Sequence, residues 1–138
     1  MTFKNNPPKK ILIVNIFGIG DVLFTTPMIS NLKAQYPDLY IGYLSNRRAA
    51  SVLQSNPDVD NVFIFERDAL VEAYKRSKVT GCRMLMDLIK SVKGARFDTS
   101  LDVSLSDLTG FMTWAAGIKR RIGFKYKNRG FFLNKKFI

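Results

Sequence analysis

The sequence predicts a doubly wound α/β domain built on a parallel sheet. Three observations carry that reading. The run Lys10-Ile-Leu-Ile-Val-Asn15 is continuously apolar rather than alternating, which marks a strand buried on both faces. Short apolar strands then alternate with helical stretches, in the order β-α-β-α-β-α-β-α-β. A glycine-rich turn, Phe17-Gly-Ile-Gly20, joins the first strand to the first helix. Parallel neighbours joined through helices need right-handed crossovers, which place helices on both sheet faces.

After the first strand, residues 21–36 read as helix, with Val22, Leu23, Met28, Ile29 and Leu32 as its apolar positions. Pro27 either kinks this helix or marks a fresh start capped by Thr26. Residues 40–44 form a second strand, 47–54 a short helix and 61–65 a third strand. The stretch 67–78 is irregular and basic. Leu85, Leu88, Ile89 and Val92 sit at helical spacing within an amphipathic helix over 84–93. Residues 97–103 form a fourth strand, and 107–116 an apolar helix with Gly117 as its C-cap. Residues 121–124 and 130–133 read as short strands. Trp114 belongs to the core on this reading.

At 138 residues the chain fits one domain, large enough for a core without disulfides or metal. Residues 1–138 are read as a single unit with no internal repeat or linker. A hydrophobic share of 46% argues against disorder. Cys82 is the only cysteine and there is no histidine, so neither an intrachain disulfide nor a dedicated zinc site is expected. The N-terminus is polar and broken by Pro7 and Pro8, unlike a signal peptide, and a cytoplasmic location is expected. Charge is the strongest bulk signal: 22 Lys and Arg against 11 acids, a net +11, with no acid beyond Asp107. Such a field attracts phosphorylated sugars, anionic lipid or nucleic acid. A solvated basic surface, or half of an interface, explains it equally well. Aromatics mix with cations after Lys119, as on single-stranded nucleic-acid surfaces, but no nucleic-acid motif is present and such binding is not expected.

In doubly wound folds ligands bind beyond the carboxyl ends of the strands, where the strand order reverses. The loop Asn15-Ile-Phe-Gly-Ile-Gly-Asp21 is therefore the first place to look. Gly18 and Gly20 allow positive φ and close approach of a ligand, and the following helix N-terminus offers free N–H groups. This is no dinucleotide fingerprint, because Leu23 stands where the third glycine belongs. Ser45 and Asn46 stand where the ribose-binding acid belongs. Asp21 has two readings: an N-cap or first-turn acid, which the spacing alone favours, or a carboxylate able to take a proton from a hydroxyl nucleophile.

Lys10-Ile-Leu-Ile-Val14, Gly20-Asp-Val-Leu23, Thr25 and Pro27 together resemble the opening of the glycosyltransferase family 9 heptosyltransferases. Asn56-Pro-Asp-Val-Asp60, Phe97-Asp-Thr-Ser-Leu-Asp102 and Gly117-Ile-Lys-Arg-Arg-Ile-Gly-Phe124 are similar to later segments of that family, in the same order. The resemblance implies a Rossmann-like N-terminal half of a GT-B enzyme. Such an enzyme transfers heptose from ADP-heptose, with inversion and without metal or cofactor, to a phosphorylated lipid A–Kdo acceptor. It implies Asp21 as the base, with Gly18, Gly20, Thr25 and Thr26 lining the cleft. Asp102 and Ser104 then fall where the acceptor is contacted. Arg67, Lys75 and Arg76, with Lys78 and Arg83, are the nearest counterparts of the family's phosphate-binding cations. The nucleotide-sugar domain is absent from these residues, so the resemblance implies little transfer by the chain alone and peripheral contact with the inner membrane. Two positions depart from the pattern. Asn15 replaces a frequent Lys or Arg, and Val103-Ser104 follows Asp102 in place of Gln-Gly. The alternative is a stand-alone, non-catalytic Rossmann-like module for phosphate ligands or polyanions.

Overall fold

A computed structural model describes residues 6–16, 18–104, 107–124 and 135–137. The elements run β1 (Lys10–Val14), α1 (Ile19–Phe24), α2 (Thr26–Gln35), β2 (Tyr40–Ser45), α3 (Arg47–Gln54), β3 (Asn61–Ile64), α4 (Arg67–Arg76) and α5 (Lys78–Ala95). They continue with β4 (Thr99–Asp102), α6 (Asp107–Ala115), β5 (Arg120–Phe124) and β6 (Lys135–Phe137). All strand pairings are parallel, in the order β3-β2-β1-β4-β5-β6. That order reverses between β1 and β4, which makes their carboxyl ends the switch point.

The unbroken apolar character of β1 has the predicted cause. Ile11 and Ile13 enter one core with Val22, Ile29, Leu32, Ala49 and Leu53 from α1, α2 and α3. Leu12 and Val14 enter a second core with Ile89 and Val92 from α5, Met112 from α6 and Ala116 just after it. Side chains alternate across a strand, so a strand covered on both faces must be apolar at every position.

The amino-terminal edge is closed by carboxylates. Asp98 accepts the backbone N–H of Lys9 and Lys10 at 2.9 and 3.0 Å, fixing β4 against the start of β1. Asp60 accepts Ile41 N–H at 2.8 Å and pairs with Lys33 at 3.1 Å. Asn56 makes an Asx turn onto Asp58 N–H. These acids of the Asn-Pro-Asp and Phe-Asp segments therefore act on the architecture, at the edge opposite the ligand edge.

The structure corrects several expectations. The stretch 67–78 is not irregular but α4, followed by α5, which starts at Lys78 rather than 84. Gly81 lets the two helices touch: a Cβ there would lie 2.7 Å from Tyr74 Cα. Pro27 marks a fresh helix, not a kink, and the cap position belongs to Thr25 rather than Thr26. The N-cap of α1 is Gly18, so Asp21 is a first-turn acid and not the cap. Gly18 is extended and Gly20 helical; neither has positive φ. Gly117, at φ 78°, ends α6 in a Schellman motif, with Ile118 N–H bonded to Thr113 O and Gly117 N–H to Trp114 O. Trp114 is half exposed at 52%, not core. The expected strand at 130–133 lies outside the described residues.

Candidate functional site

An open cleft of about 710 Å³ lies at the carboxyl ends of β1, β2 and β3. Ile16 contributes from the first loop, Asn46, Arg47 and Arg48 from the start of α3, and Phe65 to Ala69 from the start of α4. Two side chains fix these loops together. Asn46 donates from Nδ2 to Ile16 O at 3.3 Å, while its Oδ1 accepts Ala49 N–H at 2.9 Å and caps α3. Glu66 Oε1 accepts Arg47 N–H at 2.5 Å, joining the β2 and β3 loops. With the backbone held, the exposed guanidinium groups of Arg47, Arg48 and Arg67 make no hydrogen bond or ion pair with another described residue. Three unpaired guanidinium groups in one cleft suit bidentate binding of phosphate or carboxylate oxygens.

The first loop borders this cleft through Ile16. Beyond it α1 carries Asp21 in its first turn, solvent-exposed and without a hydrogen bond or ion pair to any described residue. Among the described residues, a Cβ added at Gly18 or Gly20 would meet nothing within 4 Å. Neither backbone conformation nor contact with the described residues explains these two glycines. Open space over the loop is what they leave. Beneath it, buried Tyr43 reaches up from β2. Thr25 Oγ1 donates to Val22 O at 2.6 Å, so the Tyr43 hydroxyl donates to Thr25 at 2.8 Å. Burial raises the Tyr43 hydroxyl pKa, against the lowering effect of its bonds to Thr25 and Asn15. Thr25 thus pins the α1–α2 junction to the sheet, and its one hydroxyl hydrogen is already committed. Thr26 is half-buried at the first position of α2.

At the other side of the switch point Asp102 ends β4, only 4% exposed. Its Oδ1 accepts Ser104 N–H at 2.8 Å and Ser104 Oγ at 2.5 Å, and its Oδ2 accepts Thr109 Oγ1 at 2.6 Å. Ser104 and Thr109 also approach each other at 3.0 Å. Burial pushes the carboxyl pKa up, and these three bonds hold it down less strongly. Asp102 and Ser104 therefore bind the β4–α6 loop to α6; both are buried within the chain.

The predicted cations separate. Arg67 lines the cleft, whereas Lys75 and Arg76 lie about 12 Å along α4, at its far end. Arg76 is paired with Glu72 at 3.4 Å, and Lys78 and Arg83 belong to α5. Sequence reasoning overlooked Arg47 and Arg48. The available signal was Asn46-Arg-Arg48 directly after a parallel strand, where loops face ligand.

A parallel sheet with this reversal, and with an exposed acid, open glycines and an arginine cleft on its ligand edge, defines a Rossmann-like α/β domain. Over 88 residues, 64% of this chain and 24% of the other, it is 32% identical to lipopolysaccharide heptosyltransferase 3 of Escherichia coli. Its fold matches Escherichia coli heptosyltransferase WaaC, solved with ADP-2-deoxy-2-fluoro heptose, at TM-score 0.79 and 15% identity over 93% of this chain and 42% of that one. The family 9 glycosyltransferase of Veillonella parvula matches at TM-score 0.75 and 18% identity, over 94% and 36%. The chain is thus similar in sequence to lipopolysaccharide heptosyltransferases, which are glycosyltransferases. It spans about a quarter to a third of the length of the curated relatives it matches. No protein-family model matches it.

Proposed function

We propose that this chain is the acceptor side of a GT-B glycosyltransferase that moves heptose from ADP-heptose onto a phosphorylated lipid A–Kdo core. The exposed, unpartnered Asp21 at the sheet's switch point carries the reading. In the proposed reaction its carboxylate takes the proton of the acceptor hydroxyl. The freed oxygen attacks the anomeric carbon from the face opposite the leaving group, the bond to the diphosphate breaks, and the centre inverts. Transfer is metal-independent, as the family resemblance implies. Gly18 and Gly20 leave room for the sugar, and Arg47, Arg48 and Arg67 bind its phosphates. The nucleotide sugar is held by a second domain outside these 138 residues, a proposal supported by the greater length of the relatives. The enzyme works at the cytoplasmic face of the inner membrane.

The test is transfer of labelled heptose by the chain joined to a nucleotide-sugar-binding half, with Asp21→Asn as the variant. Loss of general-base assistance is expected to lower kcat by roughly 10²–10⁴-fold with acceptor affinity kept. Near-normal turnover in the variant would remove Asp21 as base. The arginine cleft also fits a second reading, a non-catalytic phosphate or polyanion module. Tight phosphate-ligand binding with no transfer in any joined form would favour it.

A further inference from the structure

We propose that the buried hydroxyl of Tyr43 positions Asp21 by clamping both ends of the segment that carries it, a role that rests on the base assignment made above. Tyr43 is the largest of the fully buried side chains, and it shares its core with Ile11, Ile13, Ile41 and Leu101. Phenylalanine would fill such a place without taking an oxygen out of water. The oxygen is nevertheless bonded in both directions. Thr25 donates its hydroxyl hydrogen to Val22 O at 2.6 Å, so Tyr43 donates to Thr25 at 2.8 Å. With that hydrogen committed, the Asn15 side-chain amide is the donor in the bond between Asn15 and Tyr43. One directed chain results, from Asn15 to Tyr43 to Thr25 to the carbonyl of Val22. It starts at the residue that follows β1 and ends on the residue that follows Asp21. Asn15, Tyr43 and Val22 are buried, and Thr25 is half-buried.

Helix α1 has need of such a hold. Six residues make fewer than two turns, too short a helix to sustain itself. Among the described residues of α1 only Val22 is buried. One buried side chain fixes the place of a helix but leaves it free to roll about its axis. Thr25, the C-cap residue, supplies the second attachment. Asp21 lies one turn before Thr25 and on the same side of the helix, so a roll at one is felt at the other. A carboxylate about 5–6 Å from the helix axis moves by about 1 Å for a roll of about 10°. Misplacement of that size is enough to slow a reaction by about 10²-fold. Asn15 is a position at which the sequence departs from the family pattern, so this anchorage belongs to this chain.

Transfer of labelled heptose by the chain joined to a nucleotide-sugar-binding half is one assay. Amide hydrogen exchange of the 138-residue chain is the other. Tyr43→Phe keeps the ring and its packing and loses only the hydroxyl. It should lower kcat by about 10–10²-fold and change the acceptor KM by less than about twofold. Thr25→Val breaks the same chain from the helix side and should give a similar loss, with the double variant no worse than either single one. With Asp21→Asn already present, Tyr43→Phe should cost less than about twofold, which a general loosening of the fold would not reproduce. Exchange over residues 22–25 should quicken by about tenfold while β1 and β2 keep their protection. Thermal melting verifies that each variant is folded. Full turnover in Tyr43→Phe beside an inactive Asp21→Asn would overturn the clamp and leave the base in place. So would unchanged exchange over residues 22–25, a loss expressed in KM alone, or an equal loss with Asp21→Asn already present. Near-normal turnover in Asp21→Asn would remove the base, and the proposal with it, whatever the exchange shows.

Discussion

Replacing Gly20 by alanine separates stability from binding. Gly20 is the second residue of α1, its φ is not positive, and an added methyl meets no atom of the described residues within 4 Å. In a helix interior glycine is less stable than alanine by roughly 0.5–1 kcal/mol, from the greater freedom it loses on folding. At the first turn of a six-residue helix about half of that applies, giving a gain of about 0.3–0.5 kcal/mol. For a chain of this size the melting temperature should rise by about 1–2 °C. The same methyl occupies the space assigned to the acceptor sugar. Affinity for a phosphorylated Kdo–lipid A headgroup, read by calorimetry at fixed salt, should fall on the order of tenfold. A variant as stable as expected with undiminished affinity would refute the assignment of the open loop to a ligand. A destabilised variant would refute the reading that the fold does not need this glycine.

Two further outcomes follow from buried groups. Asp102 has a folded pKa above its unfolded value near 3.8, so over the interval between them the folded chain holds a proton that the unfolded chain has lost. Its stabilising effect is full below the unfolded value and disappears as pH rises through the folded one. Asp102→Asn can keep the same bonds, accepting from Ser104 and donating to Thr109. Urea unfolding across a pH series should therefore find the variant gaining on the native chain as pH rises; a flat or opposite difference would contradict this. Gly42→Ala should cost about 1–3 kcal/mol, because its Cβ would fall 2.3 Å from Phe97 Cζ. That ring is held between Tyr40 and Phe63, with centroids at 6.0 and 5.9 Å. Trimming Phe97 to Leu in the Gly42→Ala background should recover part of the loss in the same unfolding assay.

Elements that bury a full apolar face were legible. β1, β2, α3 and β3 fall within a residue or so of their expected bounds; β1 and β2, buried at all but their first residue, leave a continuous apolar record, and α3 is marked by its inward Ala49, Ala50 and Leu53. α4 was not legible, since it buries little beyond Ala73 and a half-buried Leu70. Its helicity depends on α5, and the close contact at Gly81 is invisible without the fold. At the site, Asp21 and the two glycines could be found from their place after β1. The pairing of Arg47 and Arg48 with Arg67 could not, because it depends on which strand ends lie side by side. Lys75 and Arg76 were grouped with Arg67 because a stretch read as irregular has no defined rise. Only as a helix does it carry them away from the cleft. The inward turn of Asp102 and Ser104 likewise depends on where α6 packs.

The position of β1 in the sheet governs when its loop can become ordered. On one side it pairs with β2, which follows within about thirty residues; on the other it pairs with β4, with Ile11 opposite Thr99. The Asp98 contact to Lys10 spans 88 residues. Closing the longer connection costs roughly 1 kcal/mol more chain entropy than the shorter one, and such non-local pairing slows folding. During synthesis β1 and β2 can meet early, yet the far edge of β1 stays open until β4 has been made. The amino acids that shape the first loop are thus joined well before they can be held on both sides. A nascent chain stalled before β4 would present an unpaired edge of Ile-Leu-Ile-Val, the kind of surface that chaperones and aggregation compete for.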